Sequence, residues 1–275
     1  DIDQIRQQFA KIQTKKDLVA LLNVAKGLLY KKETQPFRLK DLTYHANPAL
    51  NKKRYTQFSI KKKSGGERII NAPEKGLKSI LRALNFVLQC IYEPHKAATG
   101  FVRNKSIIDN ANLHIGSNYV YNIDLKDFFH SFDRNRVKMA FMYTCNLGKK
   151  GEPLAFLLAC LTTHPFEING ETKIVLPQGS PTSPTITNIL CQNLDRKLTG
   201  LANRFGVKYS RYADDMTFSS AKDFKDKIPQ ILEIITNDYK ISHKKTNYSR
   251  NPNITGLHPM NNHLKLPKSF TAKLE

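Results

Sequence analysis

The sequence is short of everything that would place it in a membrane or outside a cell. No apolar run reaches the roughly 18 residues that a spanning helix needs. The first residues, DIDQIRQQFAKIQ, contain no apolar stretch of the kind a secretory signal carries. The four cysteines, Cys90, Cys145, Cys160 and Cys191, are scattered and show no metal-ligand spacing. They read as reduced core residues of a cytosolic protein. There is no internal repeat and no low-complexity linker. Acidic residues are also few: 23 Asp plus Glu stand against 44 Lys plus Arg, a formal net charge of +21. Such a balance points to a polyanionic partner. Nucleic acid comes first, because neutralising its backbone supplies most non-specific affinity. An anionic membrane surface is the alternative. What is present suffices for a globular protein: 275 residues, 40% of them apolar, can bury a core and form two or three subdomains.

Hydrophobic spacing predicts helices over 17–30 and 77–91, where leucines and isoleucines recur on one face. The stretch YTQFSIKKKSGGERIINAP reads as a β-hairpin over 55–73, turning at Ser64-Gly65-Gly66. YVYNIDL (119–125) reads as a buried strand. Helices are expected over 134–144, 153–163, 183–205 and 221–239. Two short strands are expected within 207–220, around Ala213-Asp214, and a last hairpin turning at Asn261-Asn262. Strands interspersed with helices in this order indicate an α+β fold, with helices on one face of an antiparallel sheet.

Three carboxylates stand out. Asp124 ends the expected buried strand, and Asp214 and Asp215 occupy the tight turn between two others. Nucleotidyl transfer uses two divalent ions that clamp the attacking and leaving oxygens. Magnesium asks for hard oxygen ligands and keeps some water, so a few carboxylates suffice. By spacing alone, an Asp pair in a solvated turn is the commoner explanation.

The surrounding residues add more. RYADDMTFS (211–219) resembles the Tyr-x-Asp-Asp motif of reverse transcriptases, and NIDLKDFF (122–129) their other catalytic-Asp motif. LPQGSPTSP (176–184), between the two, is similar to a segment of the bacterial enzymes. SIIDNANLH (106–114) contains the Asn-Ala-x-x-His pattern of retron reverse transcriptases, and Ile254-Thr255-Gly256 stands where they carry Val-Thr-Gly. The chain resembles retron reverse transcriptases from about residue 55 to 274.

The resemblance implies a right-hand polymerase fold of fingers, palm and only the start of a thumb. N-terminal helices and fingers would occupy 1–115, with the hairpin at 55–73. The palm would be 116–250, with a fingers-like insertion at 134–185, and the thumb would begin at 251–275. It implies an RNA-directed DNA polymerase of the prokaryotic cytoplasm. Asp124, Asp214, Asp215 and the Leu125 backbone would hold two Mg²⁺ ions. Lys62 and Arg68 would grip the incoming triphosphate, with Lys61 and Lys63 as alternatives to Lys62. A Gly-rich turn flanked by cations can fold over a phosphate chain without any family argument; a solvated basic hairpin is the plainer alternative. Asp127, Phe128, Gln178, Gly179 and Lys245 would line the nucleotide site, the last in HKKT (243–246), which resembles the family's strand after the catalytic turn. Phe129 would exclude a 2′-hydroxyl, unless it is an ordinary core residue. Asn110, His114, Thr255 and Gly256 would contact RNA, unless the first two cap or fill a core and the others form an ordinary turn.

The implied partners are dNTPs, a structured non-coding RNA acting as template and primer, the RNA–DNA hybrid product, and an effector protein in anti-phage defence. No membrane is among them. The rivals are another prokaryotic reverse transcriptase, defence-associated or of group II intron type, and a non-catalytic RNA-binding module on a polymerase fold.

Overall fold

The structure is a computed structural model that describes residues 2–30, 35–62, 65–250 and 252–266. In chain order its elements are α1 (Ile2–Lys11), α2 (Lys15–Tyr30), α3 (Leu39–Ala46), β1 (Tyr55–Lys61), β2 (Glu67–Pro73), α4 (Lys75–Ile91), α5 (Ile107–Asn112), β3 (Tyr119–Asp124), α6 (Arg134–Met139), α7 (Glu152–Thr162), β4 (His164–Ile168), β5 (Glu171–Val175), α8 (Ser183–Phe205), β6 (Lys208–Tyr212), β7 (Asp215–Ser220), α9 (Ile228–Thr236), β8 (Asn247–Ser249), β9 (His258–Pro259) and β10 (Leu264–Lys265). They form two compact units, 1–93 with 129–190, and 94–128 with 191–275.

The first unit is mainly helical. In α4 the residues Leu77, Ile80, Leu81, Leu84, Val87 and Leu88 form one buried stripe, each worth roughly 1.5–3 kcal/mol of burial. Glu74 caps that helix, its carboxylate accepting from the amides of Gly76 and Leu77. The β1–β2 hairpin pairs Tyr55 with Pro73 and Lys61 with Glu67. Gly65 and Gly66 both have positive φ in its turn; Ser64 of the expected turn lies outside the described residues. The buried Arg54 guanidinium donates to the carbonyls of Cys160 and Leu161, groups that the end of α7 leaves without helical partners. A second hairpin, β4–β5, turns at Asn169-Gly170, both at positive φ.

The second unit is built on a four-stranded antiparallel sheet in the order β6-β7-β3-β8. Directly paired residues share a face, so the register sorts the side chains into two sets. One face carries Tyr209, Arg211, Met216, Phe218, Tyr121 and Ile123, and Tyr209 and Arg211 meet Asp195 of α8. The other face carries Asp124 and Asp215 at one end and the pair Asn122–Thr217 in the middle, where the Thr217 hydroxyl donates to Asn122. At its far end Val120 packs with Ala111 of α5 and with Ile254, Leu257 and Leu264.

Most expected elements are present, and three differ. The helix expected over 221–239 is shorter: a 3₁₀ turn (Lys225–Lys227) leads into α9, with Pro229 in the first helical turn where its fixed φ suits a helix start. HKKT (243–246) is a turn, closed by Lys245 N–H and Thr246 N–H on the Ser242 carbonyl, and pairing with β3 begins only at Asn247. The helix expected over 134–144 is α only to Met139 and widens into a π segment over Ala140–Thr144.

Candidate active site

The carboxylates owe their placement to a two-residue hairpin. Tyr212 pairs with Asp215, leaving Ala213 and Asp214 as the connection between β6 and β7. Ala213 has φ 58, a conformation that two-residue hairpins usually give to glycine; for alanine it costs about 1–2 kcal/mol. Asp124 lies directly across from Asp215, and the Leu125 amide donates to the Asp214 carbonyl at 3.1 Å. Sheet register and turn together bring Asp124, Asp214 and Asp215 to one end of one face. Lys245 joins them: its Nζ is 2.8 Å from Asp124 Oδ2, and that hydrogen bond raises the lysine pKa.

The charges strain against one another. The Asp215 carboxyl is pushed up to about 7, by loss of water around it first and then by the negative charges of Asp214 and Asp124, while Lys245 pulls it down. Asp215 still reaches solvent, so mutual repulsion is the more durable part of this shift. A site in which like charges disfavour ionisation is one that a divalent cation would relieve, and an all-oxygen donor set suits a hard ion. Among the described residues, no three His, Cys, Asp or Glu side chains converge into a ready-made metal cage; Lys245 occupies one oxygen of Asp124 instead. The carboxylates therefore suit a divalent cation as partial ligands, and water would have to supply the rest of its oxygens.

A pH effect follows. The folded-state pKa of Asp215, about 7, lies above its ordinary 3.8, so the folded protein holds this proton more tightly. Stability present at low pH is lost as pH rises from about 4 to 7. In metal-free protein, Asp215→Asn is expected to raise Tm by a few degrees at pH 8, with the gap closing towards pH 4. Melting curves in chelator at both pH values check this; an equal gap at both would remove Asp215 as its source.

The residues expected at the nucleotide divide between the units. In the first, Lys62 and Arg68 are exposed beside the β1–β2 turn, with Arg68 paired across from Ile60; Lys63 lies outside the described residues. The LPQG segment is docked on the same hairpin: the Asn71 amide donates to the Gln178 carbonyl at 2.7 Å. Gly179 has φ +120, and a Cβ there would lie 2.8 Å from the Asn71 carbonyl oxygen, so no larger residue fits. Phe129 is half-buried at the start of a 3₁₀ turn. In the second unit, Phe128 is buried and Asp127 is exposed at φ 51, and Lys245 is the residue brought onto the carboxylates.

The RNA contacts expected of Asn110 and His114 need correction. Both are fully buried, leaving no surface for RNA, and His114 lies just beyond α5, not within a helix. The His114 ring bridges the two strands of the β6–β7 hairpin, Nδ1 at 2.7 Å from Ser219 Oγ and Nε2 at 2.7 Å from Ser210 Oγ. Ser210 and Thr99 both donate to the Asn110 side-chain oxygen, and Ser117 meets Ser219 at 2.9 Å. Burial pushes the His114 pKa down to about 3, so the ring is neutral. Since Ser210 donates to Asn110, it accepts from His114 Nε2–H, and Nδ1 accepts from Ser219. The motif is a brace beneath the strands that carry the carboxylates.

Thr255 and Gly256 form a turn with φ 50 and 86, closed by reciprocal bonds between Ile254 and Leu257. They reach solvent, Gly256 more than Thr255.

Sequence reading missed Asp195 and Gly100. Asp195 pairs with Arg211. At Gly100 a Cβ would lie 2.3 Å from the Ala213 backbone nitrogen. Neither has a local signal, because each acts on residues far along the chain.

The family of reverse transcriptases (RNA-dependent DNA polymerases) matches residues 60–258. Among curated proteins, the chain is 41% identical to the retron Mx162 reverse transcriptase of Myxococcus xanthus, over 61% of this chain and 36% of that protein. It is 36% identical to the retron Mx65 reverse transcriptase of the same organism, over 75% and 47%, and 33% identical to the retron Ec86 reverse transcriptase of Escherichia coli, over 61% and 49%. The chain thus spans half or less of the length of these relatives. A solved structure of telomerase from Candida albicans, in complex with a fragment of telomeric RNA, matches with a TM-score of 0.52 at 12% identity, over 85% of this chain and 50% of that one; this likeness shows a polymerase fold. No helix among the described residues is long and apolar enough to cross a membrane. On these matches and on the carboxylate-bearing hairpin, the chain belongs to the reverse transcriptase family, and the relatives named above are retron reverse transcriptases.

Proposed function

We propose that the chain is the catalytic part of an RNA-directed DNA polymerase of retron type. The observation that carries this is the pairing of Asp124 directly across from Asp215, with Asp214 beside it in the β6–β7 turn, in a chain of this family. Two Mg²⁺ ions, when bound, would neutralise the growing negative charge on the attacking and leaving oxygens. Asp124, Asp214, Asp215 and the Leu125 carbonyl would hold them. Lys245, already drawn to this site, would exchange its carboxylate for triphosphate oxygens. Lys62, Arg68, Gln178 and Gly179 would bind the nucleotide, Arg68 bidentately, and Asp127 and Phe128 would shape its site from the backbone. Residues 1–115 and the insertion at 134–185 would then be fingers, the rest of 116–250, with the four-stranded sheet, the palm, and 251–275 the start of a thumb. The relatives are named as retron reverse transcriptases, and on the resemblance to that type the reading extends to a structured non-coding RNA as template and primer, a branched RNA–DNA product and an effector partner in phage defence. Thr255, a β-branched residue at positive φ and partly exposed, is the RNA contact we retain, with Gly256 beside it.

The test is primer extension by the purified protein with Mg²⁺ and dNTPs, together with sequencing of co-purifying nucleic acid. Extension, with a discrete hairpin-rich RNA joined to short DNA, supports the reading. RNA binding without extension would make the chain a binding module.

Sugar selection gives a second test. Phe129 stands five residues after Asp124, where the family places the side chain beneath the ribose. Phe129→Ala or Phe129→Val is expected to lower the preference for dNTPs over rNTPs by roughly tenfold or more, as relief of a steric clash allows. Relative incorporation efficiencies measure this, and an unchanged ratio in a folded variant would make Phe129 a core residue.

A further inference from the structure

We propose that Arg211 and Asp195 are positioning residues that set the catalytic turn from the opposite face of the sheet. The proposal rests on the reading of Asp214 and Asp215 as the polymerase carboxylates. Both side chains of the pair are fully buried. The guanidinium grips the carboxylate in two places, Nε to Oδ1 at 2.9 Å and Nη2 to Oδ2 at 2.7 Å, and Tyr209 donates to the same Oδ1 at 2.8 Å. The remaining terminal nitrogen, Nη1, donates to the Ala213 carbonyl at 3.0 Å.

That last bond is the informative one. A buried ion pair is expensive to desolvate, and an apolar pair of similar volume often stabilises a fold as well or better. Stability alone therefore does not account for it. An apolar pair has no donor for the Ala213 carbonyl. This carbonyl belongs to the same rigid peptide plane as the Asp214 amide, so anchoring it fixes the plane from which the Asp214 side chain departs. The anchored residue is also the one held at positive φ.

The backbone around Arg211 is clamped as well. Its amide donates to Ala97 at 2.7 Å, and its carbonyl accepts from Thr99 at 2.8 Å. The same loop brings Gly100 so close to the turn that a Cβ would collide with the Ala213 nitrogen and Tyr212. Asp195 orients Arg211, Arg211 holds the peptide, and the loop over 97–100 closes the turn from outside. The strained hairpin is thus held on two sides in one conformation.

The test compares the whole protein with the double variant Asp195→Leu/Arg211→Met. Readouts are melting temperature, kcat and KM for dNTP in primer extension, and luminescence of Tb³⁺ as a probe of the carboxylates. The expected result is a melting temperature near that of the parent and a KM within about twofold. The rate is expected to fall by at least about tenfold, as small misplacements of reacting groups do, with weaker Tb³⁺ binding. A stable double variant with parental rate and Tb³⁺ affinity overturns the proposal and leaves the pair a core element. Should the double variant not fold, Arg211→Lys decides. Its point charge can pair with Asp195 but cannot also serve Ala213 through a planar fork, so the same loss of rate at unchanged KM is expected, and a parental rate overturns the proposal. A parent protein that binds no Tb³⁺ and extends no primer would instead overturn the polymerase reading.

Discussion

Asp214→Asn is expected to abolish DNA synthesis while leaving RNA affinity intact or slightly higher. The substitution keeps the shape of the side chain and removes one negative charge from the tip of the β6–β7 turn. A Lewis-acid ion contributes several kcal/mol of charge stabilisation in the transition state, and each 1.4 kcal/mol is tenfold in rate. Losing a ligand charge should therefore lower the rate on the order of a thousandfold. RNA binding rests on a different account. With a net charge of +21, it is dominated by phosphate neutralisation and falls steeply with salt, so one acidic charge fewer can only help. Single-turnover primer extension and a salt-dependent RNA titration separate the two. Near-parental extension by Asp214→Asn would remove the carboxylates from the chemistry.

The sequence was most legible where function and fold use the same short segments. A buried strand ending in Asp124 and a hairpin turning at Ala213-Asp214 can be read locally, because a short apolar run marks the one and a two-residue turn sets the register of the other. The antiparallel pairing then fixes Asp124 against Asp215 without further information. Helix α8 has its expected bounds because it is long, with apolar residues recurring along one face. The β4–β5 hairpin is not legible although Asn169-Gly170 is a strong turn signal; β4 is mostly half-buried, β5 is mostly exposed, and neither alternates cleanly. The residues that hold the turn were not legible, since Asp195, Gly100 and Thr99 meet Arg211 and its neighbours only through the fold. The Asn-Ala-x-x-His motif is legible as a pattern but its role, RNA contact or buried brace, is not, because a polar motif in sequence looks the same on a surface as in a buried network. The contrast between His114, fully buried, and Thr255, strained and partly exposed, could come only from burial and backbone angles.

The brace formed by that motif yields the second large effect. Asn110→Ala with His114→Ala is expected to depress every activity of the protein together, through its stability. Removing the His114 ring leaves the Ser210 and Ser219 hydroxyls short of a partner inside the unit, a cost of about 1–3 kcal/mol each, and opens a cavity besides. A total of several kcal/mol would lower Tm on the order of 10 °C for a chain of this size. Self-primed synthesis on the cognate RNA and extension of a generic annealed primer-template should then fall in parallel. The pH profile identifies the residue responsible. The folded-state pKa of His114, about 3, lies below its ordinary 6.5, so the unfolded chain binds its proton more readily. Stability is therefore lost as pH falls from about 6.5 towards 3, and the doubly substituted protein, lacking this histidine, should lose less over that range. His114→Gln, which keeps one donor and one acceptor, should recover part of the stability and part of both activities. Loss of synthesis on the cognate RNA alone, with Tm and generic extension unchanged, would sink the brace and return Asn110 and His114 to RNA recognition.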